Sequence, residues 1–201
     1  QFVAKDGAII ISCHDPVSLL SENLRALLGV LLIAPGDEFQ TKVDKLSCFF
    51  DKDLSSLGVK IRKTEDWVID NILNQEFWKL APLFSMKNAT EALAEKFVFS
   101  GSSPVFYTDW DWYKSIIDNR SHRNENFVTA YERNLHNLLD IRVVSHPRTI
   151  DENDRLLNLC QKIRDVISAC SDSDMLPSPS LQAAHGQPVV ESCHALEALL
   201  R

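Results

Sequence analysis

The chain has 201 residues and a formal net charge of −7 at pH 7, and 45% of its residues are hydrophobic and 24% charged. This balance is that of an ordinary globular protein and excludes wholesale disorder, while the acidic net charge argues against a nucleic-acid binder with a broad basic face. The length suffices for one good-sized domain that buries about 70% of its unfolded surface without disulfides or metals.

The number of cysteines and the length of the apolar runs indicate the cellular compartment of the chain. There are five cysteines and no C-x-x-C pair: Cys13, Cys48, Cys160, Cys170 and Cys193. An odd number favours a reducing compartment, so we predict the cytoplasm or nucleus. The apolar run within residues 1–12 is too short for a signal peptide and has no basic leader. The apolar block from Leu24 to Ala34 is too short to span a bilayer, so we expect no membrane partner.

Helical periodicity begins near the start of the chain. Asp15-Pro16 reads as an N-cap followed by a first-turn proline, which predicts a helix to about Ile33. Leucines nearly encircle this segment, so we expect a buried central helix. A second helix, over 37–50, is predicted by an apolar stripe of four residues: Phe39, Val43, Leu46 and Phe50.

Two further helices precede a loop. Thr64 is predicted to cap a third helix, which carries Trp67 and Ile72 and must end near Pro82 because proline removes a backbone donor. Residues 88–91 (NATE) form a predicted capping box for a short fourth helix that ends near Phe97. Residues 100–104 (SGSSP) are typical of a loop.

The last two long helices have the clearest patterns. A stripe over 124–140 consists of Phe127, Tyr131, Leu135 and Leu138. Residues 149–152 (TIDE) form a second predicted capping box, which opens a helix to about Ala169. One face of that helix carries an apolar row: Leu156, Cys160, Ile163, Ile167 and Cys170.

Strand candidates are short and are not spaced as β-α-β units. They are Ala8–Ser12, Val59–Arg62, Phe97–Ser100, Val105–Tyr107 and Ile141–Val144. The predicted fold class is therefore mainly α, as a helical bundle or a short stack of helical hairpins with few short strands. We predict an α-helical domain over 1–170, a flexible linker over 171–190 and a short amphipathic C-terminal helix over 191–201.

The stretch Phe106–Tyr113 (FYTDWDWY) contains five aromatic side chains and two carboxylates. If Asp109 caps a helix that begins at Trp110, the aromatic rings face the core and the acids lie in the first turn, where the helix dipole favours them. The alternative is a metal-dependent transferase in which Asp109 and Asp111 hold a divalent cation and a nucleotide diphosphate. Such a fold needs several parallel strands before the motif, and too few are predicted.

Other metal and catalytic motifs are incomplete. Residues 51–55 (DKDLS) resemble the start of an EF-hand loop, but Ser56 replaces the glycine and Arg62 the glutamate that calcium requires. The pairs Cys13-His14 and Cys193-His194 would hold zinc only if both met in space. The sequence contains no phosphate-binding glycine loop and no nucleophile elbow, so no cofactor is predicted.

Three histidines in the C-terminal half could also be considered as ligands. His122, His136 and His146 approach one another only if the helix over 124–140 and its flanking segments fold back. His136 lies off the apolar stripe of that helix, so we expect it on the surface.

The best-supported function is a non-catalytic, scaffold- or adaptor-type α-helical domain that binds another protein in grooves between helices. Tryptophan, tyrosine and arginine dominate interface hot spots, so we predict a contact rim of Trp110, Trp112, Tyr113, Arg120, Arg123 and Arg133. The amphipathic helix over 191–201 is a second candidate contact and offers a route to a homo-oligomer. The transferase built on Asp109 and Asp111 is the alternative.

Overall fold

A computed structural model of the protein describes residues 7–34, 36–57, 62–74, 83–108, 120–140 and 142–172, and the single positions 3, 191 and 194. This described part is mainly helical and contains no strand, which confirms the predicted mainly α class. The predicted strands are therefore wrong where the structure describes them: Ala8–Ser12, Phe97–Ser100 and Val105–Tyr107. Segments this short are stable as strands only when a neighbouring strand pairs with them. The candidates Val59–Arg62 and Ile141–Val144 lie partly outside the described residues.

The helices are numbered in chain order. They are α1 (Leu20–Leu32), α2 (Phe39–Ser56), α3 (Thr64–Val68) with a following π-helical turn (Ile69–Leu73), α4 (Met86–Leu93), α5 (Arg120–Asn134) with a following 3-10 turn (Leu135–Leu138), and α6 (Ile150–Asp172). None of the helices in the described ranges combines the length and the apolar character needed to cross a bilayer.

The chain divides into two compact units, and each unit combines segments that are distant in sequence. The first unit contains Gln1–Ser18 and Pro82–Asp154, and the second contains Leu19–Ala81 and Arg155–Arg201. The predicted division into a domain over 1–170, a linker and a terminal helix stays a prediction. Residues 173–190 of that linker lie outside the described residues, and in the terminal helix only Glu191 and His194 are described, both exposed.

The second unit has its core between α2 and the segment formed by α3 and the π-helical turn. The core side chains are Leu46, Phe50, Leu54, Val68 and Ile72. Each fully buried side chain of this kind stabilises the fold by about 1.5–3 kcal/mol. Along α6, in the same unit, the first four residues of the predicted row, Leu156, Cys160, Ile163 and Ile167, are buried, and the side chain of Cys170 lies outside the described part.

Two predictions about the first helices need correction. α1 begins at Leu20 and is not a fully buried central helix, because Leu28 and Leu32 are 44% and 40% exposed. In the predicted stripe of α2 the last three residues are buried as expected, but Phe39 is 58% exposed. Phe39 is the first residue of α2, so no preceding turn of this helix covers its side chain.

The predicted helix starts are partly confirmed. At α6 the Thr149 hydroxyl accepts the Glu152 N–H at 3.3 Å and Glu152 Oε2 accepts the Thr149 N–H at 3.0 Å, which is the predicted capping box. The box at α4 lies one turn earlier than predicted, since Ser85 is the N-cap and Asn88 the third helical residue. Thr64 is the first residue of α3 and not its cap, and its hydroxyl donates to Asp51 at 2.6 Å.

The first unit is built on α5. All four residues of its predicted stripe are buried, which confirms that pattern: Phe127, Tyr131, Leu135 and Leu138. α4 packs against α5 and contributes the buried Ala89. The loop predicted over 100–104 is confirmed, because these residues are neither helix nor strand.

Candidate functional site

The predicted contact rim is only partly described. Five of the sequence-predicted site residues lie outside the described residues: Trp110, Trp112, Tyr113, Asp109 and Asp111. Arg120 opens α5, but its side chain is also outside the described part. Arg123 is half-buried and Arg133 exposed, and their ten-residue separation places them about 15 Å apart along the helix axis. The rim and the alternative metal pair therefore stay predictions.

The other sequence motifs do not form metal sites in the described part of the chain. The EF-hand-like residues 51–55 lie inside α2, where Asp53 accepts from Arg25 Nε at 2.9 Å and Asp51 accepts from Thr64. Among the described residues, no three His, Cys, Asp or Glu side chains are grouped so that they could hold a metal ion. Cys193 is outside these residues, so the proposed meeting of the two Cys-His pairs stays untested.

His136 is buried, which corrects the prediction of a surface histidine. Burial lowers the pKa of His136, and the nearby Arg148 cation lowers it further. The Asn153 side chain, the His146 backbone and Glu152 oppose this decrease in pKa. The residue lies off the apolar stripe, but the chain after α5 returns to this helix, as the 2.9 Å bond from Arg148 N–H to the Arg133 carbonyl shows.

The first unit contains a cleft of about 390 Å³, hereafter the cleft. Its lining comes from four places in the chain: residues 7–13, α4, residues 97–103, and Asn124 and Phe127 of α5. None of the lining residues that the structure describes is Asp, Glu, Lys, Arg or His. The cleft is therefore a neutral and largely apolar site, of a size at the lower end of ligand pockets.

One wall of the cleft is held to α5 by a single asparagine side chain. Asn124 Oδ1 accepts the Phe99 N–H at 2.7 Å, and Asn124 Nδ2 donates to the Phe97 carbonyl at 3.0 Å. The Phe99 ring stacks on Phe127 with centroids 3.8 Å apart. Residues 97–99 are therefore fixed by both polar and apolar contacts.

The opposite wall, residues 7–13, is anchored at its end. His14 N–H donates to the Phe84 carbonyl at 3.1 Å. Next along the chain, the buried carboxylate of Asp15 accepts the Val17 N–H at 2.8 Å and the hydroxyl of Tyr131. Asp15 thus caps the turn before α1, as the sequence predicts in part, and also ties the wall to α5.

Three titratable groups of the anchor and the cleft lining have raised pKa values: Asp15, Tyr131 and Cys13. Burial raises the pKa of Asp15, while the bonds from Tyr131 and Val17 lower it. Burial and the neighbouring Asp15 raise the pKa of Tyr131, so the phenol keeps its proton and donates it. Burial also raises the pKa of Cys13, which favours the neutral thiol in the cleft lining.

Apolar side chains are exposed along the rim of the cleft. Ile9 and Ile11 line it and are 40% and 41% exposed, Ile10 is 99% exposed, and Val98 on the opposite wall is 45% exposed. Clustered exposed apolar side chains mark interaction surfaces more often than isolated ones do. The sequence showed both walls as short strand candidates but did not mark them as a site, because the bonds that bring them together join distant residues.

Comparisons with known proteins identify no relative of this chain. No family model, no curated protein and no solved structure matches the chain.

Proposed function

We propose that the chain is a non-catalytic protein-interaction domain that holds a segment of another protein in the cleft. The observation that carries this proposal is the cleft itself, which is neutral and bordered by exposed isoleucines. Binding in such a site is driven by removal of apolar surface from water. A charged substrate would find no partner of opposite charge among the lining residues.

The chemistry of the lining supports binding over catalysis. General acid–base catalysis needs a group whose pKa lies near the working pH, and none of the described residues that line the cleft carries a carboxylate, an amine or an imidazole. Its thiol, Cys13, has a raised pKa, whereas a nucleophilic cysteine needs a lowered one. The transferase alternative rests on Asp109 and Asp111, and no feature of the described residues favours it.

The cellular setting belongs to the same proposal. Among the described cysteines, Cys13 and Cys48 are free thiols. Free thiols are typical of reducing compartments, which supports a role in the cytoplasm or nucleus. The partner is a protein rather than nucleic acid, since the net charge of −7 repels phosphate backbones.

The proposal is tested by selecting a random dodecapeptide library, displayed on phage, against the full chain. We expect enriched peptides whose binding weakens by about tenfold or more in Ser100→Trp, because the large ring fills the cleft that exposed Ser100 lines. Ser145→Trp is the matched control, since Ser145 is exposed in the same unit and does not line the cleft. Both variants are first checked for unchanged thermal melting.

Two results would contradict the proposed function. One is a set of enriched peptides that bind Ser100→Trp as tightly as the parent chain, or no enrichment at all. The other is a rise in melting temperature with manganese and a nucleoside diphosphate that is lost in Asp111→Asn, because a ligand that binds the native state stabilises it. That second result would favour the transferase alternative instead.

A further inference from the structure

Hydrogen bonds leave one edge of residues 97–99 unused. In an extended chain the peptide groups of alternate residues point to opposite sides. Asn124 binds the Phe97 carbonyl and the Phe99 N–H, so the N–H and carbonyl of Val98 point away from Asn124. Within the described ranges the Val98 peptide groups make no hydrogen bond to another part of the chain.

The opposite wall of the cleft also has unused peptide groups. Ile9, Ile11 and Cys13 line the cleft, whereas Ile10 is 99% exposed and Ser12 is not among the lining residues. From Ile9 to Cys13 this alternation has the period of two that an extended chain produces, and it does not continue before Ile9, where Gly7 and Ala8 both line the cleft. Among the described residues, the peptide groups of residues 7–12 make no hydrogen bond to other segments.

The charges around the cleft restrict what can enter. Among the described residues that line it, the Cys13 thiol, whose pKa is raised, is the only ionisable side chain. A charged group that left water here would lose its hydration without gaining a partner, which costs several kcal/mol. Charge complementarity therefore selects a neutral occupant.

From these observations we propose that the cleft receives an extended, uncharged and largely apolar peptide segment, which adds as a β-strand to the edge of Val98. This inference rests on the proposed function and specifies its partner. Strand addition gives affinity through main-chain hydrogen bonds, and alternate side chains of the peptide give specificity by contacting Ile9, Ile11 and Phe97. A helical partner would leave the Val98 peptide groups unused, and so would a small lipophilic molecule without donors and acceptors.

The peptide side of the test uses the tightest-binding dodecapeptide from the library selection. Single N-methyl groups are placed on each of its peptide bonds in turn, because N-methylation removes one donor at a time. We expect an affinity loss of about fivefold, the equivalent of one hydrogen bond, at the one peptide bond whose N–H pairs with the Val98 carbonyl, and little change at the neighbouring positions. In the selected peptide without N-methyl groups, replacing central apolar residues by Lys or, separately, by Glu weakens binding by about tenfold or more.

The protein side of the test uses a matched pair at one position. Val98→Pro removes the N–H, whereas Val98→Ala keeps it and removes only side-chain atoms. We expect the proline variant to bind about tenfold more weakly than the alanine variant. Alkylation of Cys13, which lines the cleft, slows when peptide is bound, while alkylation of exposed Cys48 in the second unit is the internal reference and stays constant.

The outcomes separate this inference from the function it rests on. Equal affinity of all N-methylated peptides, or a selected consensus with helical spacing, overturns strand addition and leaves the interaction domain standing. If the proline variant does not fold, the N-methylated peptides still decide the question. If no selected peptide depends on Ser100, and an apolar dye alone protects Cys13, both the strand addition and the proposed function are wrong.

Discussion

Tyr131 connects the buried carboxylate of Asp15 to α5 across 116 positions of sequence. Tyr131→Phe leaves that carboxylate without this donor, so we expect the free energy of unfolding to fall by about 1–3 kcal/mol. Tyr107→Phe is the matched control, because the Tyr107 hydroxyl accepts a long 3.4 Å bond from Asn126, and we expect a loss below about 0.5 kcal/mol. Urea unfolding at pH 7 measures both.

The pH dependence of the Tyr131→Phe variant provides a second check. The Tyr131 bond lowers the pKa of Asp15, so its removal raises that pKa further above the ordinary value. A raised carboxyl pKa means that the charged form is disfavoured in the folded chain, and this loss of stability diminishes as the pH falls through the folded-state pKa. Equal losses in the two Tyr→Phe variants, or a deficit that grows on acidification, would contradict the proposed anchor.

The sequence predicts the local role of Asp15 but not its long-range hydrogen bond. Its local role was predictable, because Asp before proline is a frequent start signal and its carboxylate does cap the following turn. Its bond to Tyr131 was not, since no local pattern specifies a partner so far along the chain. His136 was predicted at the surface for the same reason: the segment that covers it returns to α5 only after the helix has ended.

His136 makes the stability of the first unit sensitive to acid. Its pKa is lowered in the folded chain, mainly by burial, so the neutral form is favoured there. As the pH falls below about 6.5, the unfolded chain binds a proton that the folded chain does not, and the free energy of unfolding decreases. His136→Gln therefore flattens the decrease between about pH 7.5 and about pH 5.5, by less than about 1.4 kcal/mol per pH unit.

The control for this prediction is His122→Gln, which replaces an exposed histidine on α5. Chemical unfolding at several pH values compares the two variants with the parent chain. If both variants keep the full acid-induced decrease, or if His136→Gln steepens it, then His136 is not the group responsible.

Gly29 allows α1 to approach the π-helical turn of the second unit. A Cβ atom at this position would lie 2.5 Å from Ile72 Cγ2, which belongs to a buried, branched side chain. Gly29→Ala therefore lowers the free energy of unfolding by about 1–3 kcal/mol through overpacking, although alanine favours a helix by about 1 kcal/mol. Gly36→Ala, with no atom within 4 Å of its added Cβ, is the control.

A double-mutant cycle tests whether overpacking against Ile72 causes the loss of stability in Gly29→Ala. Ile72→Ala removes the γ carbon, so the added cost of Gly29→Ala becomes smaller in that background than in the parent chain. Additive losses would show that the two positions do not clash, and a stabilised Gly29→Ala variant would contradict the close packing directly.

The helices were the best-predicted elements because their signals are local. The stripe on α5 and the capping box of α6 depend on residues within a few turns of one another, and both are confirmed. The errors lie where two local signals compete, as at α4, where the boxes starting at Ser85 and at Asn88 overlap. They also lie where tertiary packing decides exposure, as for Phe39.

The cleft depends on the arrangement of the whole first unit. Residues 7–13 and 97–103 are far apart in sequence and form its opposite walls through bonds to α5 and to the Phe84 carbonyl. Sequence periodicity marked both segments as extended and apolar, but the pairing of two distant segments into one site is a tertiary property. The predicted rim around Trp112 lies outside the described residues, so it stays a separate candidate for contact.

Amide hydrogen exchange at Val98 tests the central claim most directly. In the free chain the Val98 N–H has no partner in the described structure, whereas the Phe99 N–H is bonded to Asn124. We predict fast exchange at Val98 and slow exchange at Phe99, and slowing at Val98 by about tenfold or more when the selected peptide is saturating. Unchanged exchange at Val98 with peptide bound, or peptide protection confined to the second unit, would contradict the account.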